Sequence, residues 1–388
     1  MSKRDIAIVG YGETPIKLRG GRSSYELAGD VFAEIVESTG IDKAEIDGIC
    51  VSETMSETAN PFWSVYMSDM LGLSPAWTQI NGLGGASVIG GVARAASAIR
   101  DGLCNTVLVI AADAQSSGGP TEQGAYRWEF QYPVGLFGPV GAFGLLSRRY
   151  DIQYGLKHEA LAKLAVTQRN HALMNPNAVD KLNKPLTEED YLNSKVVSEP
   201  LRILDSVMVC DGANGVLVTS IETADRLGLE RRIYPRGYAE LTNFNGDKAT
   251  PDITETGFSV VGPLVMERAG MKPADVKLFC PYDDFLIAMI LQMEQIGFCG
   301  RGEGCDFVLN TDMSHTGTLP LNTGGGQISA GQPGLAGGGH NLVEAVRQLF
   351  GDAGERQIPD LPNALVTGIG SIPYGRNWHV SNAMVLEN

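Results

Sequence analysis

The feature that most restricts how this chain can fold is that part of it is written twice. Ser38-Thr-Gly-Ile-Asp-Lys-Ala-Glu-Ile-Asp-Gly-Ile-Cys-Val51 returns, at a constant shift of 230, as Arg268-Ala-Gly-Met-Lys-Pro-Ala-Asp-Val-Lys-Leu-Phe-Cys-Pro281. Gly40/Gly270, Ala44/Ala274 and Cys50/Cys280 are identical, and Asp/Glu and Ile/Val exchanges fill much of the rest. Each copy reads as a helix end, a turn and a strand. Solenoid repeats recur every ~20–50 residues, so copies this far apart point instead to two packed βα domains. A chain of 388 residues has room for two such lobes.

The pattern between the copies agrees. Ile6 to Gly10 reads as a buried strand, and Ser24 caps a helix that runs through Leu27, Val31, Ile35 and Val36 to a stop at Gly40. Ile46 to Val51 is a second strand, Gly85 to Ile99 a helix of small residues, and Thr106 to Ala111 another apolar strand. Uninterrupted apolar strands alternating with helices predict a mostly parallel sheet covered on both faces. Residues 116–199 differ. Arg127-Trp-Glu-Phe-Gln-Tyr132, Asn175-Pro176 and Pro185-Leu-Thr-Glu-Glu189 are aromatic, polar and proline-bearing, as in an inserted lid that carries substrate-specific loops.

Composition narrows the partners. A net charge of −15 argues against nucleic acid, whose phosphates need basic surface. Charged residues are 19% of the chain, below the ~25% norm, which suits a large core or interface. No apolar run reaches the ~18 residues of a membrane-spanning helix, and Ile6-Ala-Ile-Val9 is too brief for a signal peptide. None of the six cysteines forms a Cys-x-x-Cys pair, and Cys299 with Cys305 would give only two zinc ligands. The expectation is a reduced, cytoplasmic protein without a metal.

Several landmarks occur in an order that resembles the thiolase superfamily along the whole chain. Gly85-Ala-Ser-Val-Ile-Gly-Gly91 and the residues through Gly102 resemble the nucleophile helix of thiolases, which opens Cys-Ala-Ser-Gly. Pro200-Leu-Arg, Cys210-Asp-Gly-Ala-Asn214, Asn322-Thr-Gly-Gly-Gly326 and Gly331-Gln-Pro-Gly-Leu-Ala-Gly-Gly338 resemble further thiolase motifs, and Val366-Thr-Gly-Ile-Gly370 stands where thiolases carry Cys-x-Gly-Gly-Gly. The nearest likeness is to sterol-carrier-type thiolases and lipid-transfer-like aldolases. The resemblance implies two duplicated βαβαβαββ halves in five αβαβα layers with an inserted loop domain. The expected boundaries are 1–115 plus 200–235 for the first half, 116–199 for the insert and 236–388 for the second half.

The departures decide the chemistry. Gly85 stands at the position of the nucleophilic cysteine, Gln332 at that of its activating histidine, and Val366 at that of the second cysteine. Tyr282, in Pro281-Tyr-Asp-Asp-Phe285, replaces the histidine of a His-Asp-x-Phe motif. Glycine has no nucleophile, glutamine is no base at neutral pH, and valine moves no proton. A thioester-linked enzyme would need an unrelated cysteine, and Cys280 is the nearest by sequence. The helix start at Gly85 and glycine turns at Gly325, Gly331 and Gly368 remain as donors for the oxygen of a thioester or of its enolate.

The resemblance to the aldolases therefore implies retro-aldol cleavage of a β-hydroxyacyl-CoA, with no covalent intermediate and no cofactor beyond the CoA of the substrate. Tyr282 and Tyr374, in Ser371-Ile-Pro-Tyr374, correspond to the two tyrosines taken as acid and base in that family. A free phenol with pKa about 10 is ionised in only about one molecule in a thousand at pH 7, so Asp283 stands as the alternative base. Asp284 reads as half of a charge pair at a strand end. Gln332, with Gly85 and Gly368, belongs to the substrate-binding set. His315 is the one histidine near the glycine turn at Gly324–Gly326, and Asn322 reads as support for that turn. The family implies a homodimer, joined by a small zinc-ribbon/OB-fold subunit into a heterotetramer, and steroid side-chain substrates giving a ketone or aldehyde plus acetyl- or propionyl-CoA. Two other readings stay open: a non-catalytic carrier or scaffold, and an atypical thiolase subunit.

Overall fold

Each copy of the repeat builds one open sheet. The structure, a computed structural model, describes residues 6–57, 60–118, 131–136, 138–248, 251–372 and 377–388. The first half comprises β1 (Ile6–Glu13), α1 (Ser24–Thr39), β2 (Gly48–Ser52), α2 (Trp63–Leu71), β3 (Trp77–Asn81), α3 (Ser87–Arg100) and β4 (Thr106–Asp113). Next come α4 (Gly138–Tyr154), α5 (His158–Leu173), α6 (Glu188–Leu192) and a small ribbon of β5 (Val196–Ser198) with β6 (Leu201–Arg202). β7 (Gly212–Ser220) returns to the first sheet, and α7 (Ile221–Leu227) leads out of it. The second half comprises β8 (Tyr234–Thr242), α8 (Phe258–Ala269), β9 (Phe279–Cys280), α9 (Leu286–Ile296), α10 (Gly304–Asn310), α11 (Gly326–Ala330), α12 (Gly337–Phe350), β10 (Asn363–Gly370) and β11 (Val380–Glu387).

The sheets are ordered β1-β7-β4-β2-β3 and β8-β11-β10-β9. In each, only the strand that closes the half runs against its neighbours. β7 is antiparallel to β1 and β4, β11 is antiparallel to β8 and β10, and the β2–β3, β2–β4 and β9–β10 pairs are parallel. The counterpart of β3 in the second sheet shrinks to a single parallel bridge from Phe279 to Leu321.

The sequence repeat falls at equivalent places in the two halves. Gly40 and Gly270 end α1 and α8 with φ of 66° and 65°, a left-handed stop that glycine adopts without penalty. Cys50 and Cys280 then lie buried in β2 and β9. One detail differs from the sequence reading. The cap of α1 is Ser23, whose side chain accepts the Glu26 N–H while Glu26 returns a bond to the Ser23 N–H. Ser24, expected at the cap, is the first helical residue, because that reciprocal bond needs its acid three positions after the cap.

Burial defines five layers. α1 and α2 cover the outer face of the first sheet in one apolar cluster containing Val31, Ile35, Met67 and Ile110. α3 and α12 lie side by side between the sheets, packed with Val109, Val218, Val366 and Met384. α8 and α9 cover the outer face of the second sheet, and α4, α5 and Tyr191 of α6 join that cluster. Layers of this kind cover both faces of each main sheet with helices. No helix of the described residues is long and apolar enough to cross a membrane.

Candidate active site

The ends of the two central helices meet the strand ends at one point, and Tyr282 occupies it. β9 stops at Cys280, and the next residues bend across the start of α3. The backbone of Tyr282 is held at both ends: its N–H donates to Thr367 Oγ1 (2.9 Å) and its carbonyl accepts from Gln292 Nε2 (2.8 Å). Asn322 and Asn341 both donate to the preceding Pro281 carbonyl (3.1 and 2.8 Å). Asn322 thus supports the segment that carries the tyrosine. Thr367, Gln292 and Asn341 carry no local signal in the sequence that would have found them.

The side chain of Tyr282 fills the space where a nucleophile would project. A Cβ added to Gly85 would collide with the Tyr282 ring and hydroxyl oxygen. The phenol is 5% exposed, and Gln332 Nε2 approaches its oxygen at 3.5 Å while also lying 3.2 Å from Gln327 Oε1. Burial raises the Tyr282 pKa well above that of a free phenol, and the charges of Asp284 and Asp283 raise it further, against the opposing pull of the Gln332 and Gln327 amides. The group is therefore a phenol at neutral pH: it can donate a proton, but it cannot start as a base.

The two aspartates that follow face different surroundings. Asp283 is fully buried and turns into the start of α11, where its carboxylate accepts the N–H groups of Gln327 and Ile328 and the Asn341 amide, each at 3.1 Å. Burial raises its pKa and those three donors pull it back. Its oxygens are thus committed to the protein. Asp284 is half-buried, and its Oδ1 is sealed from solvent without a hydrogen-bond partner.

The glycines divide into two kinds. Gly325 and Gly331 do sit at turns, with φ of 97° and 103°. Gly368, expected at a turn, lies inside β10 opposite Asn382 of β11. A Cβ on Gly368 would stand 2.7 Å from Ala86 Cα, and one on Gly338 would run into the Gly85 carbonyl. These glycines let the two central helices and the second sheet close on one another, a requirement the motif alone does not distinguish from donor loops. Two asparagines latch the same junction crosswise. Asn382 of the second sheet donates to the Ala86 carbonyl (2.9 Å), and Asn214 of the first sheet donates to the Ala336 carbonyl (2.8 Å).

The other candidates fall elsewhere. His315 stands edge-on to His171 with ring centroids 6.0 Å apart, and burial together with that neighbouring ring lowers His171 to about 4. Neither histidine is hydrogen-bonded to Tyr282; His171 Nδ1 contacts the Leu321 carbonyl instead (3.0 Å). Cys280 is fully buried between the sheets, and burial pushes its thiol well above the ordinary value, so it offers no thiolate. Tyr374 and most of Arg127–Tyr132 lie outside the described residues.

Behind the Asn322 turn runs a buried ionic chain that sequence spacing does not reveal. Glu13 of β1 pairs with His340 and with Arg347 Nη2 (2.9 Å), and Glu344 joins Arg347 (2.7 Å) to Arg356 (3.0 Å). Thr323 donates to Glu344 (2.8 Å), which ties the turn to α12.

Comparison with known proteins matches this arrangement. Residues 239–382 fit the family model described as thiolase C-terminal domain-like. A steroid side-chain-cleaving aldolase of Thermomonospora curvata is 30% identical, over 95% of each chain. The 17-hydroxy-3-oxo-4-pregnene-20-carboxyl-CoA lyase of Mycobacterium tuberculosis is 29% identical, over 96% of this chain and 98% of its own. The solved structure of an Ltp2-ChsH2(DUF35) aldolase superposes with a TM-score of 0.86 at 28% identity, over 99% of this chain and 98% of that one. With the duplicated sheets, the paired central helices and these full-length likenesses together, the chain belongs to the thiolase superfamily, in its sterol-carrier-type thiolase and aldolase branch.

Proposed function

We propose that the chain catalyses retro-aldol cleavage of a steroid side-chain β-hydroxyacyl-CoA, giving a ketone or aldehyde and a short acyl-CoA. The observation that carries this reading is the Tyr282 ring in the space a residue-85 side chain would need. Where thiolase chemistry places sulfur, this site places a phenol, and a C–C cleavage without a covalent intermediate needs a proton donor there.

In this mechanism the thioester oxygen lies at the start of α3, where the helix dipole favours negative charge. As the Cα–Cβ bond breaks, its electron pair moves into the thioester and the enolate oxygen is stabilised there. The Tyr282 phenol, kept protonated by burial, then gives its proton to Cα. Gln332 orients that hydroxyl. Asp283 fixes α11 beneath it. Tyr374, on the far side of β10 in sequence, is the second tyrosine of the family pattern. No cofactor is required.

The names of the two full-length relatives support a steroid substrate. The DUF35 component in the name of the solved aldolase supports a small partner subunit. β3 is the edge of its sheet and is only partly buried, which suits a homodimer joined through that edge, in a cytoplasmic assembly. The test is direct. The purified chain with a DUF35-type partner should convert 17-hydroxy-3-oxo-4-pregnene-20-carboxyl-CoA to the 17-ketone and propionyl-CoA, read by mass spectrometry. Tight binding of the thioester without cleavage would leave a carrier and overturn the enzyme reading.

A further inference from the structure

A phenol that gives its proton to Cα leaves a negative charge on the Tyr282 oxygen. The place does not favour that charge. Tyr282 is 5% exposed, and burial, then the Asp284 and Asp283 carboxylates, work against ionisation there. A buried anion is tolerated where donors are already aimed at it. Gln332 is one such donor, and Gln327 is the second. Gln327 is placed by the residue next to the tyrosine: Asp283 accepts the Gln327 N–H at the start of α11, and a Cβ on Gly326 would run into that carboxylate. From there the fully buried Gln327 side chain reaches the first residue of α12, where a Cβ on Gly337 would overlap its Oε1. Glycine at 337 thus clears room for the amide, as glycine at 338 does for the Gly85 carbonyl. Gln327 Oε1 accepts from Gln332 Nε2 (3.2 Å), and this sets which end of Gln332 is turned to the phenol, since the same Nε2 lies 3.5 Å from the Tyr282 oxygen. The other polar atom of the Gln327 amide, Nε2, is sealed from solvent without a hydrogen-bond partner. Both amides favour ionisation of the phenol. A buried N–H without an acceptor is unfavourable, and the strongest acceptor that can form beside this one is the Tyr282 phenolate. Hydrogen bonds to an ionised oxygen are shorter and stronger than those to a neutral one, so the 3.5 Å contact has room to close.

We propose that Gln327 is a positioning residue that acts through Tyr282: with Gln332 it forms a two-amide cradle for the phenolate left when the tyrosine gives up its proton. This assignment rests on the retro-aldol reading. The step balances within the site. The Tyr282 O–H bond breaks, its electron pair stays on oxygen, and the proton forms the new C–H bond at Cα. The cleavage also frees one proton from the β-hydroxyl, so the phenolate is transient and no co-reactant is needed. Gln327 holds Gln332 with its oxygen and offers its own N–H when charge appears. Without that hold, Gln332 is free to turn its carbonyl to the phenol, accept the O–H and withhold the proton from the substrate.

The first arm of the experiment replaces Tyr282 in the full chain by 3,5-difluorotyrosine, a more acidic phenol whose ionisation is followed by fluorine NMR. Gln327→Met keeps the length of the side chain and removes its amide, so it should make this phenol ~10–100-fold harder to ionise. Unfolding cannot imitate that result, because an exposed phenol ionises more readily. Gln327→Leu should behave alike. Unchanged or easier ionisation in either variant, with circular dichroism matching the parent, overturns the cradle. The second arm uses natural Tyr282, a DUF35-type partner and 17-hydroxy-3-oxo-4-pregnene-20-carboxyl-CoA. Gln327→Met should lower kcat ~10–100-fold with KM little changed. With difluorotyrosine at 282 the loss should shrink or reverse, since a more acidic phenol needs less help from donors. A residue that merely packs would give the same fold loss with either phenol. That result, or a Gln327→Met variant keeping more than about a third of kcat, overturns the assignment and leaves the function standing. A wild type that fails to cleave the thioester removes the retro-aldol reading, and the role of Gln327 in it goes too.

Discussion

Gly85→Ala adds one methyl group at the most crowded point of the site. Gly85 is outside the left-handed region, so alanine suits its backbone and space alone opposes it. The new Cβ would overlap the Tyr282 ring, which is buried and has its backbone clamped by Thr367 and Gln292. Overpacking of this kind costs ~1–3 kcal/mol. With Tyr282→Ala already in place the phenol is gone, and the same Gly85→Ala change becomes neutral or stabilising by ~0.4–1 kcal/mol through the unfolded chain. The two changes should therefore be coupled by roughly 1–4 kcal/mol. Urea unfolding of wild type, both single variants and the double variant, followed by circular dichroism, closes the cycle. Additivity within about 0.5 kcal/mol would mean that the tyrosine does not fill this space, and the account of the site would fail with it.

Tyr282→Phe keeps the ring and loses the proton: kcat should drop ~10²–10⁴-fold while the unfolding midpoint hardly moves, and a variant keeping more than about a third of the activity would exclude the phenol as donor. Gly85→Cys should give no thiolysis of a β-ketoacyl-CoA, because the sulfur meets Tyr282 and Gln332 cannot deprotonate it; acylation of the introduced thiol, seen by mass spectrometry during turnover, would show the opposite. Glu13→Gln should cost ~3–5 kcal/mol near neutral pH by leaving His340 and Arg347 without their buried partner. Burial alone would raise Glu13, but His340 and Arg347 hold it well below its ordinary 4.5, so its contribution is present above pH 4.5 and lost as pH falls through the depressed value. Burial opposes charge on His340, but Glu13 lifts it above 6.5, so its share is present below pH 6.5 and lost as pH rises through the raised value. Stability against pH should thus be flatter in Glu13→Gln, and curves parallel to wild type would refute the pairing.

The fold was readable because its signals are local. The left-handed glycines at 40 and 270 and the buried strands at Cys50 and Cys280 depend on a few neighbouring residues, and the duplication printed them twice. The vacancy at Gly85 was readable for the same reason, through a motif with one residue missing. What the sequence hides is direction and distance. Asp283 and Asp284 are the same residue type at adjacent positions, yet one caps α11 and the other has a buried Oδ1 that α11 does not reach. Gly368 looks like a turn glycine, and only the approach of Ala86 explains it as clearance inside a strand. Glu13 meets His340 across 327 positions, beyond any periodicity. His340 lies in a helical pattern that gives no hint of an ionic partner.

The interlock of Gly85 with Tyr282 also has an evolutionary consequence. A phenol seated where a thiol side chain would project works as a ratchet. A cysteine at position 85 clashes with the ring as long as the tyrosine remains. Removing the tyrosine first empties a buried cavity, and the site still lacks a nucleophile and, with Gln332 in place, a base to activate one. On the proposed mechanism, each single step back towards sulfur chemistry passes through a protein that does neither reaction. The residues that ended one catalytic lineage thus also shield the other from drifting back, because steric exclusion penalises every intermediate and leaves only a concerted change.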